Sequence, residues 1–433
     1  MSGGASIRPT RARFGVLALI ATATALNYLD RTLLGVAAPT MTKELGFSPE
    51  LMGVVFAVFS WSYALAQVPG GAFLDRFGTR LTYGLSLVIW SSFTVMQGLI
   101  RSSTALILVR LGLGVAEAPC FPANSRVLIS WFPQSERARA NSVYSVGMYF
   151  GIGFCSPLLF WMVSHWGWRS LFWIVGSLGV LFGLAWFRLY RDPSDHPRVN
   201  KAELDLIRAD GGITERQAPR PFSWSDVGYL ASQRSIIGAS IGQFATNSTL
   251  VFFLTWFPTY LATERHMDWI KAGFLAMVPF IAASVGVLAG GQVSDRLLAS
   301  GKSLQFARKL PVITGLLLST VIVSAIWLPS DAAVIAAMSV AFFGQGMSNL
   351  GWTLISEIAP AKLAGLTGGL FNLCTNLAGI VTPIVIGVAV GRTGSFFAGL
   401  AYIAVMAALG ALSYAFIVDR VVRIADPTDR GRP

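Results

Sequence analysis

The chain has 433 residues, of which 54% are hydrophobic and only 12% charged, and its mean hydropathy is +0.61. That balance excludes an ordinary water-soluble domain and points to a polytopic membrane protein. The formal charge of +12 is scattered over short loops rather than gathered on one domain, so it is read as membrane orientation and not as a nucleic-acid surface.

Twelve apolar stretches of spanning length follow one another, near 14–38, 50–74, 81–100, 103–130, 138–163, 168–190, 234–261, 270–296, 309–329, 332–357, 362–390 and 395–419. The arginine-bearing start runs directly into the first stretch without a small-residue cleavage site, so the first span is expected to stay in the chain. Between the sixth and seventh lies a polar segment of alternating charge and proline. It divides the chain into an amino-terminal six-helix half (1–190), a central loop (191–233) and a carboxyl-terminal six-helix half with its tail (234–433). The predicted fold class is an all-α membrane protein of twelve transmembrane helices in two halves. Of the 33 Lys and Arg, 24 fall in the tails, loops and span ends of one face, six in the loops and span ends of the other, and three, Arg31, Arg110 and Arg126, farther inside spans. An excess of that size predicts that both termini and the central loop are cytoplasmic.

The first stretch contains Asn27-Tyr28-Leu29-Asp30-Arg31, two opposite charges in an apolar run. Each costs roughly 2.5–3.5 kcal/mol on insertion scales. Neighbours on a helix point about 100° apart, so Asp30 and Arg31 cannot satisfy one another and each calls for a partner on another helix. The fourth stretch carries Arg110 and Glu117, about two turns and 10 Å apart on one face. Counted along the helices, Asp30, Arg31 and Arg110 come to similar depths, with Glu117 nearer the middle. The expected arrangement has Asp30 and Glu117 sharing Arg110 and leaves Arg31 free to grip a substrate carboxylate with its planar fork. Burial favours the neutral form of a carboxylic acid and a nearby arginine the charged form, so an acid that exchanges its arginine can take up and release a proton. Asp30, Glu117 and Arg110 are therefore the candidate proton-coupling set, with a static ion-pair network as the alternative. Arg126, near the inner end of the fourth stretch, can snorkel to the surface and is read as structural.

Gly71-Ala72-Phe73-Leu74-Asp75-Arg76, followed by Arg80, closes the second stretch, and Gly291-Gln292-Val293-Ser294-Asp295-Arg296 closes the eighth. Each is second in its half. Glycine permits close helix approach, and Asp75, Arg76, Arg80, Asp295 and Arg296 can latch neighbouring helix ends at the membrane face. A solvated turn is the plainer alternative, but recurrence at equivalent places favours a conformational latch.

The carboxyl-terminal half has no charge deep in a span, Glu357 being at an inner end. It carries uncharged stripes instead: Gln243 and Asn247; Gln345, Asn349 and Trp352; Asn372 and Asn376, each set on one helix face. Such stripes are either interhelical hydrogen bonds, worth about 0.6 kcal/mol each, or the wall of a cavity that binds hydroxyl groups. Three converging stripes favour the cavity, with Trp352 as an apolar platform. Cys120, Cys155 and Cys374 give no disulfide framework or metal site. His165, His196 and His266 form no zinc-protease pattern, and neither a nucleophile elbow nor a phosphate-binding loop occurs, so no enzyme, cofactor or ATP-driven pump is expected. Matching halves favour alternating access over a channel or receptor.

The two sixes, the long central loop and the paired Gly-x-x-x-Asp-Arg loops resemble the major facilitator superfamily. Asn-Tyr-Leu-Asp-Arg-Thr at 27–32, Arg-Leu-Gly-Leu-Gly-Val-Ala-Glu-Ala-Pro at 110–119, Asn-Ser-Arg at 124–126 and Gly-Trp-Arg at 167–169 are similar to its anion:cation symporter family. His-Pro-Arg-Val-Asn-Lys at 196–201, Thr-Trp-Phe-Pro at 255–258 and Gly-Gly-Leu-Phe-Asn at 368–372 resemble the glucarate and galactarate importers in particular. The resemblance runs end to end. It implies a secondary active importer of a sugar acid by proton symport, a multi-pass protein of the bacterial inner membrane that works as a monomer, with a small organic anion, protons and the lipid bilayer as partners. It also implies proton roles for Asp30 and Glu117, a substrate role for Arg31, and ligand positions at Trp352 and Asn372 with Tyr28 and Tyr63 opposite.

One residue departs from the pattern. Sugar-acid members commonly carry a glutamine in the fifth span where this chain has Met148, which cannot donate to a hydroxyl. That leaves open a tartrate-like or phthalate-like carboxylate on the same fold. Met148→Gln is expected to change which acids compete for uptake, measured as a competition profile against one labelled acid; an unchanged profile would make the departure irrelevant.

Overall fold

A computed structural model describes residues 8–133, 155–209, 223–360 and 363–425, with positions 136, 140, 148, 151 and 153 besides. All regular structure among the described residues is helical. Among the described residues ten helical segments are long and apolar enough to cross a membrane, the first being α1 (Ala12–Leu45); a helix suits that setting because it satisfies its backbone groups within itself. Of the other two expected spans, the third is α3 (Thr79–Gln97), which has the length but buries Thr82, Ser86, Ser91, Thr94 and Gln97 along one side. The fifth, 138–163, lies mostly outside the described residues and ends in α6 (Ser156–Trp166).

Among the described residues several spans are interrupted, the seventh at Trp256 and two others at residues singled out in the sequence. The fourth splits into α4 (Ser103–Glu117) and α5 (Cys120–Trp131). The Ala118 N–H still reaches the Gly114 carbonyl at 3.2 Å, but Pro119 has no backbone N–H, so the hydrogen-bond ladder fails there, two residues after Glu117. The tenth splits into α13 (Asp331–Ser348) and α14 (Gly351–Ile358), which puts Asn349 at a break rather than on the continuous helix the sequence implied.

By packing, the chain divides into two compact units that cut through α1 and through α2 (Pro49–Phe77). One takes Met1–Leu33, Trp61–Cys155 and Trp168–Pro219. Its core holds Trp90, Trp131, Trp186, Tyr83 and Tyr190, with Tyr83 on α3 stacked at 4.4 Å on Trp186 of α7 (Trp168–Leu189). Polar ties cross the same core: Tyr83 donates to Asn124 at 2.9 Å, and Asn124 donates to Thr24 at 3.2 Å. At the start of α1, the fully buried Glu203 on α8 (Lys201–Ala209) accepts the backbone N–H groups of Ala12 and Arg13, each at 3.3 Å, and the Arg13 guanidinium at 3.0 Å. Arg13 also donates to Glu136 at 2.9 Å. A carboxylate from the central loop thus caps the first helix, where the helix dipole favours negative charge.

The other unit takes Leu34–Ser60, Ser156–Gly167 and Arg220–Pro433. Within it α10 (Arg234–Thr255) packs on α15 (Ala364–Thr393) and α16 (Phe397–Leu412), and α11 (Trp269–Ala299) packs on α13. Phe253 and Phe342 stack at 4.0 Å. α2 meets α15 at a pair of glycines: a Cβ on Gly53 would fall 2.6 Å from the Pro383 carbonyl, and one on Gly387 would fall 2.6 Å from that of Pro49.

The close approach expected of Gly71 and Gly291 does not occur, since a Cβ at either meets nothing within 4 Å. Their predecessors make it instead. A Cβ on Gly70 would fall 3.0 Å from the Pro119 ring and one on Gly290 2.9 Å from the Met347 carbonyl, each against a broken span. Successive helical residues point in different directions, so only one glycine of each pair can face the neighbour. Of the latch set, the Asp75 side chain lies outside the described residues. Arg76 is exposed beside the Phe77 ring, Arg80 donates to the Phe187 carbonyl at 3.1 Å, and Arg296 is exposed. Asp295, largely exposed, pairs at 3.5 Å with Arg308, which also reaches Glu357 at 2.9 Å and Ser294 at 2.8 Å. Gly53→Ala is expected to cost about 1–3 kcal/mol through overpacking, whereas Gly291→Ala should be neutral or stabilise by up to about 1 kcal/mol, as read from thermal unfolding of the detergent-purified protein.

Candidate functional site

The first unit gathers Asn27, Tyr28, Asp30 and Arg31 of α1 with Tyr63 of α2, Trp90 of α3, and Arg110 and Glu117 of α4. Glu117 has no exposure and Asp30 is 4% exposed. Arg31 reaches Glu117 with two nitrogens on one oxygen, Nε lying 2.7 Å from Oε1. The rings of Tyr28 and Tyr63 flank the guanidinium, each centroid 5.0 Å away, a cation–π arrangement that strengthens when water is excluded. Asp30 accepts the indole N–H of Trp90 at 2.8 Å. Arg110 is buried two turns from Glu117 on the same helix.

This differs from the pairing read from the sequence. Arg31 is not free: Glu117 holds it, while Asp30 takes Trp90. A carboxylate with no exposure needs a cation within reach, and Arg31 reaches it from the neighbouring helix. Trp90 was missed. A tryptophan within an apolar stretch reads as packing, and its only distinguishing signal is that a buried indole N–H seeks an acceptor.

Several polar atoms in this cluster are buried without a hydrogen bond: Asp30 Oδ1, Glu117 Oε2 and both side-chain polar atoms of Asn27. Asn27 lies near enough to act on the Glu117 charge, yet no hydrogen bond of ordinary geometry forms. Such atoms are rare in static cores and call for an explanation. Here Asp30 Oδ1, Glu117 Oε2 and Asn27 Oδ1 are open acceptors and Asn27 Nδ2 an open donor.

In the second unit the predicted stripes divide in two. Asn247 spends its amide N–H on the Thr375 carbonyl at 2.7 Å, and Asn376 spends its own on the Asn372 carbonyl at 2.9 Å. Gln243 and Gln345 keep buried oxygens without a partner. Trp352 is 38% exposed and meets Phe371 edge to face at 4.8 Å. Asn349 and Asn372 are half-buried. Tyr414, which the sequence did not single out, adds a buried hydroxyl without a partner. A Cβ on Gly351 would stand 2.5 Å from that hydroxyl and 3.0 Å from Gln243 Oε1, so both groups converge on one backbone position. Met148 is helical and half-buried, with its neighbours outside the described residues. No cluster of three metal-ligating side chains occurs among the described residues, and the three cysteines are free.

The sequence profile of the Major Facilitator Superfamily matches residues 20–383. The chain is 40% identical over 428 residues to a probable galactarate/D-glucarate transporter of Escherichia coli (strain K12), covering 96% of this chain and 95% of that protein. It is 43% identical over 423 residues to a D-galactonate transporter of Escherichia coli O6:H1, covering 96% and 98%. Among solved structures, a bacterial homologue of the human lysosomal transporter Spinster superposes with a TM-score of 0.72 at 20% identity, over 94% of this chain and 95% of that one. That likeness concerns the fold alone. With the profile matched over most of its length and these relatives covered from end to end, the chain is a multi-pass membrane protein and belongs to the Major Facilitator Superfamily, a family of transporters and not enzymes.

Proposed function

We propose that this protein imports a sugar acid of the galactarate, glucarate or galactonate class together with protons, by alternating access of its two six-helix halves. The observation that carries the proposal is the pair between Arg31 and Glu117. An internal carboxylate holds the guanidinium that a substrate carboxylate would seek. Two carboxylates and one arginine leave a surplus negative charge in a site of low polarity, which is costly. Protonation of Glu117 removes that surplus and frees the arginine. Binding of the anion is thereby tied to uptake of a proton, and release of the anion lets Glu117 ionise and return to Arg31.

Asp30 serves as the second proton site. Trp90 holds one of its oxygens and leaves the other open, while Arg110 balances charge when both acids are ionised. Tyr28 and Tyr63 fix the Arg31 fork. In the carboxyl-terminal half, Gln243, Asn247, Asn349, Asn372 and Asn376 supply bonds to the substrate hydroxyls and Trp352 an apolar wall, with Gln345 and Tyr414 beside them. The sugar-acid assignment draws support from the names of the relatives, the inward direction from the resemblance of the motifs at 196–201, 255–258 and 368–372 to those of importers, and the cytoplasmic position of both termini in a bacterial inner membrane from the basic excess on one face. Asp75, Arg76, Arg80, Asp295 and Arg296 latch the inner helix ends, and the protein works as a monomer.

The test is transport in liposomes holding an internal pH dye, challenged with glucarate, galactarate, galactonate, glucuronate, tartrate and phthalate. One of the sugar acids is expected to move protons in the wild type. Asp30→Asn should abolish that signal. Glu117→Gln imitates the protonated acid, so it should keep exchange of labelled acid within about threefold while losing gradient-driven accumulation by about tenfold or more, the size of effect that one lost coupling interaction gives. Proton movement intact in both variants would overturn the assignment.

A further inference from the structure

We infer that the protein carries a binding site for the phosphate headgroup of an anionic phospholipid, in a cavity between the start of α1, the end of α7 and the segment that follows it. The cavity is about 470 Å³ and has two kinds of wall. Arg11, Arg198 and His196 form one, and Gly15, Leu19 and Leu189 belong to the other.

The basic wall is uncompensated. Among the described residues neither Arg11 nor Arg198 has an ion-pair or hydrogen-bond partner for its side chain, and both are exposed. Their neighbour Arg13 is different, because Glu136 and Glu203 both bind it. Glu136 and Glu203 are therefore already engaged, and no acid lines the cavity. His196 accepts the Arg198 backbone N–H at Nδ1, 3.2 Å away, and rests edge-on against Trp131. Burial, together with Arg198, holds the imidazole below its ordinary pKa, so the ring is neutral near pH 7 and carries its hydrogen on Nε2 as a donor. The dipole end of α1 is not the attraction, since Glu203 already takes the N–H groups of Ala12 and Arg13.

The apolar wall decides the class of ligand. Gly15 and Leu19 stand one turn apart on a membrane-spanning helix, and Leu189 is 53% exposed at the end of another. A Cβ on Gly15 meets nothing within 4 Å, so the groove beside it is open. A soluble phosphate has no use for such a surface. A phospholipid does, with its phosphate between the arginines and an acyl chain along Gly15 and Leu19, and basic pockets at the membrane boundary suit anionic headgroups.

The experiment measures lipid retained by the detergent-purified full chain, by native mass spectrometry, with phosphatidylglycerol, phosphatidylcholine and sn-glycerol 3-phosphate as probes. One phosphatidylglycerol per chain is expected, in preference to phosphatidylcholine. Arg11→Ala with Arg198→Ala should weaken its binding about 30-fold, the contribution of two arginines near a charged membrane surface. Gly15→Leu keeps both arginines but fills the groove, and should also expel the lipid. Arg188→Ala, on an exposed arginine outside the cavity, should change nothing. Equal retention of the two lipids, or phosphatidylglycerol binding unchanged in both the double variant and Gly15→Leu, would overturn the inference. So would glycerol phosphate binding as tightly as the whole lipid, which would make this a site for a soluble phosphate.

Discussion

A charge buried in a membrane protein has to be answered by another charge, and that requirement organises the amino-terminal half of this chain. Glu117 is wholly buried and sits on the last helical residue before a proline break. Arg31 meets it from α1, two tyrosine rings enclose the arginine, and Asp30, one residue earlier and turned away, is left to the indole of Trp90. Deleting one member of such a pair costs far more than the pair itself contributes, because the remaining charge is stranded. The arrangement is thus less a source of stability than a constraint on which partners the acids can exchange.

The two parts of the chain carry different polar groups. The first concentrates ionisable groups, and the second uses amides and hydroxyls, several of them buried with an oxygen still open. Residues 34–60, although they come early in the chain, pack with the carboxyl-terminal helices, and the glycine meeting of α2 with α15 leaves no room for a side chain between the two backbones. Without a hydrophobic drive between helices in lipid, such close backbone contact is a main source of cohesion.

Much of this was legible in the sequence because membrane insertion makes exceptions visible. Asp30, Arg31, Arg110 and Glu117 stand out as charges in apolar runs, and the structure brings them to one cluster. Who pairs with whom was not legible, since it depends on helix rotation and on the break at Pro119, which a count of residues per turn does not include. Gly70 and Gly290 show the same limit: the motif marks the right turn of helix, but which of two adjacent glycines faces its neighbour is a matter of phase. Glu203 and Arg308 carry no mark in the sequence that sets them apart from other loop and helix-end charges, and only folding shows that one caps a distant helix and the other gathers Ser294, Asp295 and Glu357. Tyr414 lay in an apolar run with nothing to mark its hydroxyl.

The cap on α1 also bears on the order in which the protein is made. The N–H groups of Ala12 and Arg13 wait for a carboxylate about 190 positions later in the chain. As the ribosome delivers the first span to the membrane, that end of the helix has only water for a partner, and it gains its acid once the central loop has emerged. The cap on α1 therefore cannot form before the segment around Glu203 has been synthesised, and the start of the chain is tied down by a residue that follows the spans it packs against.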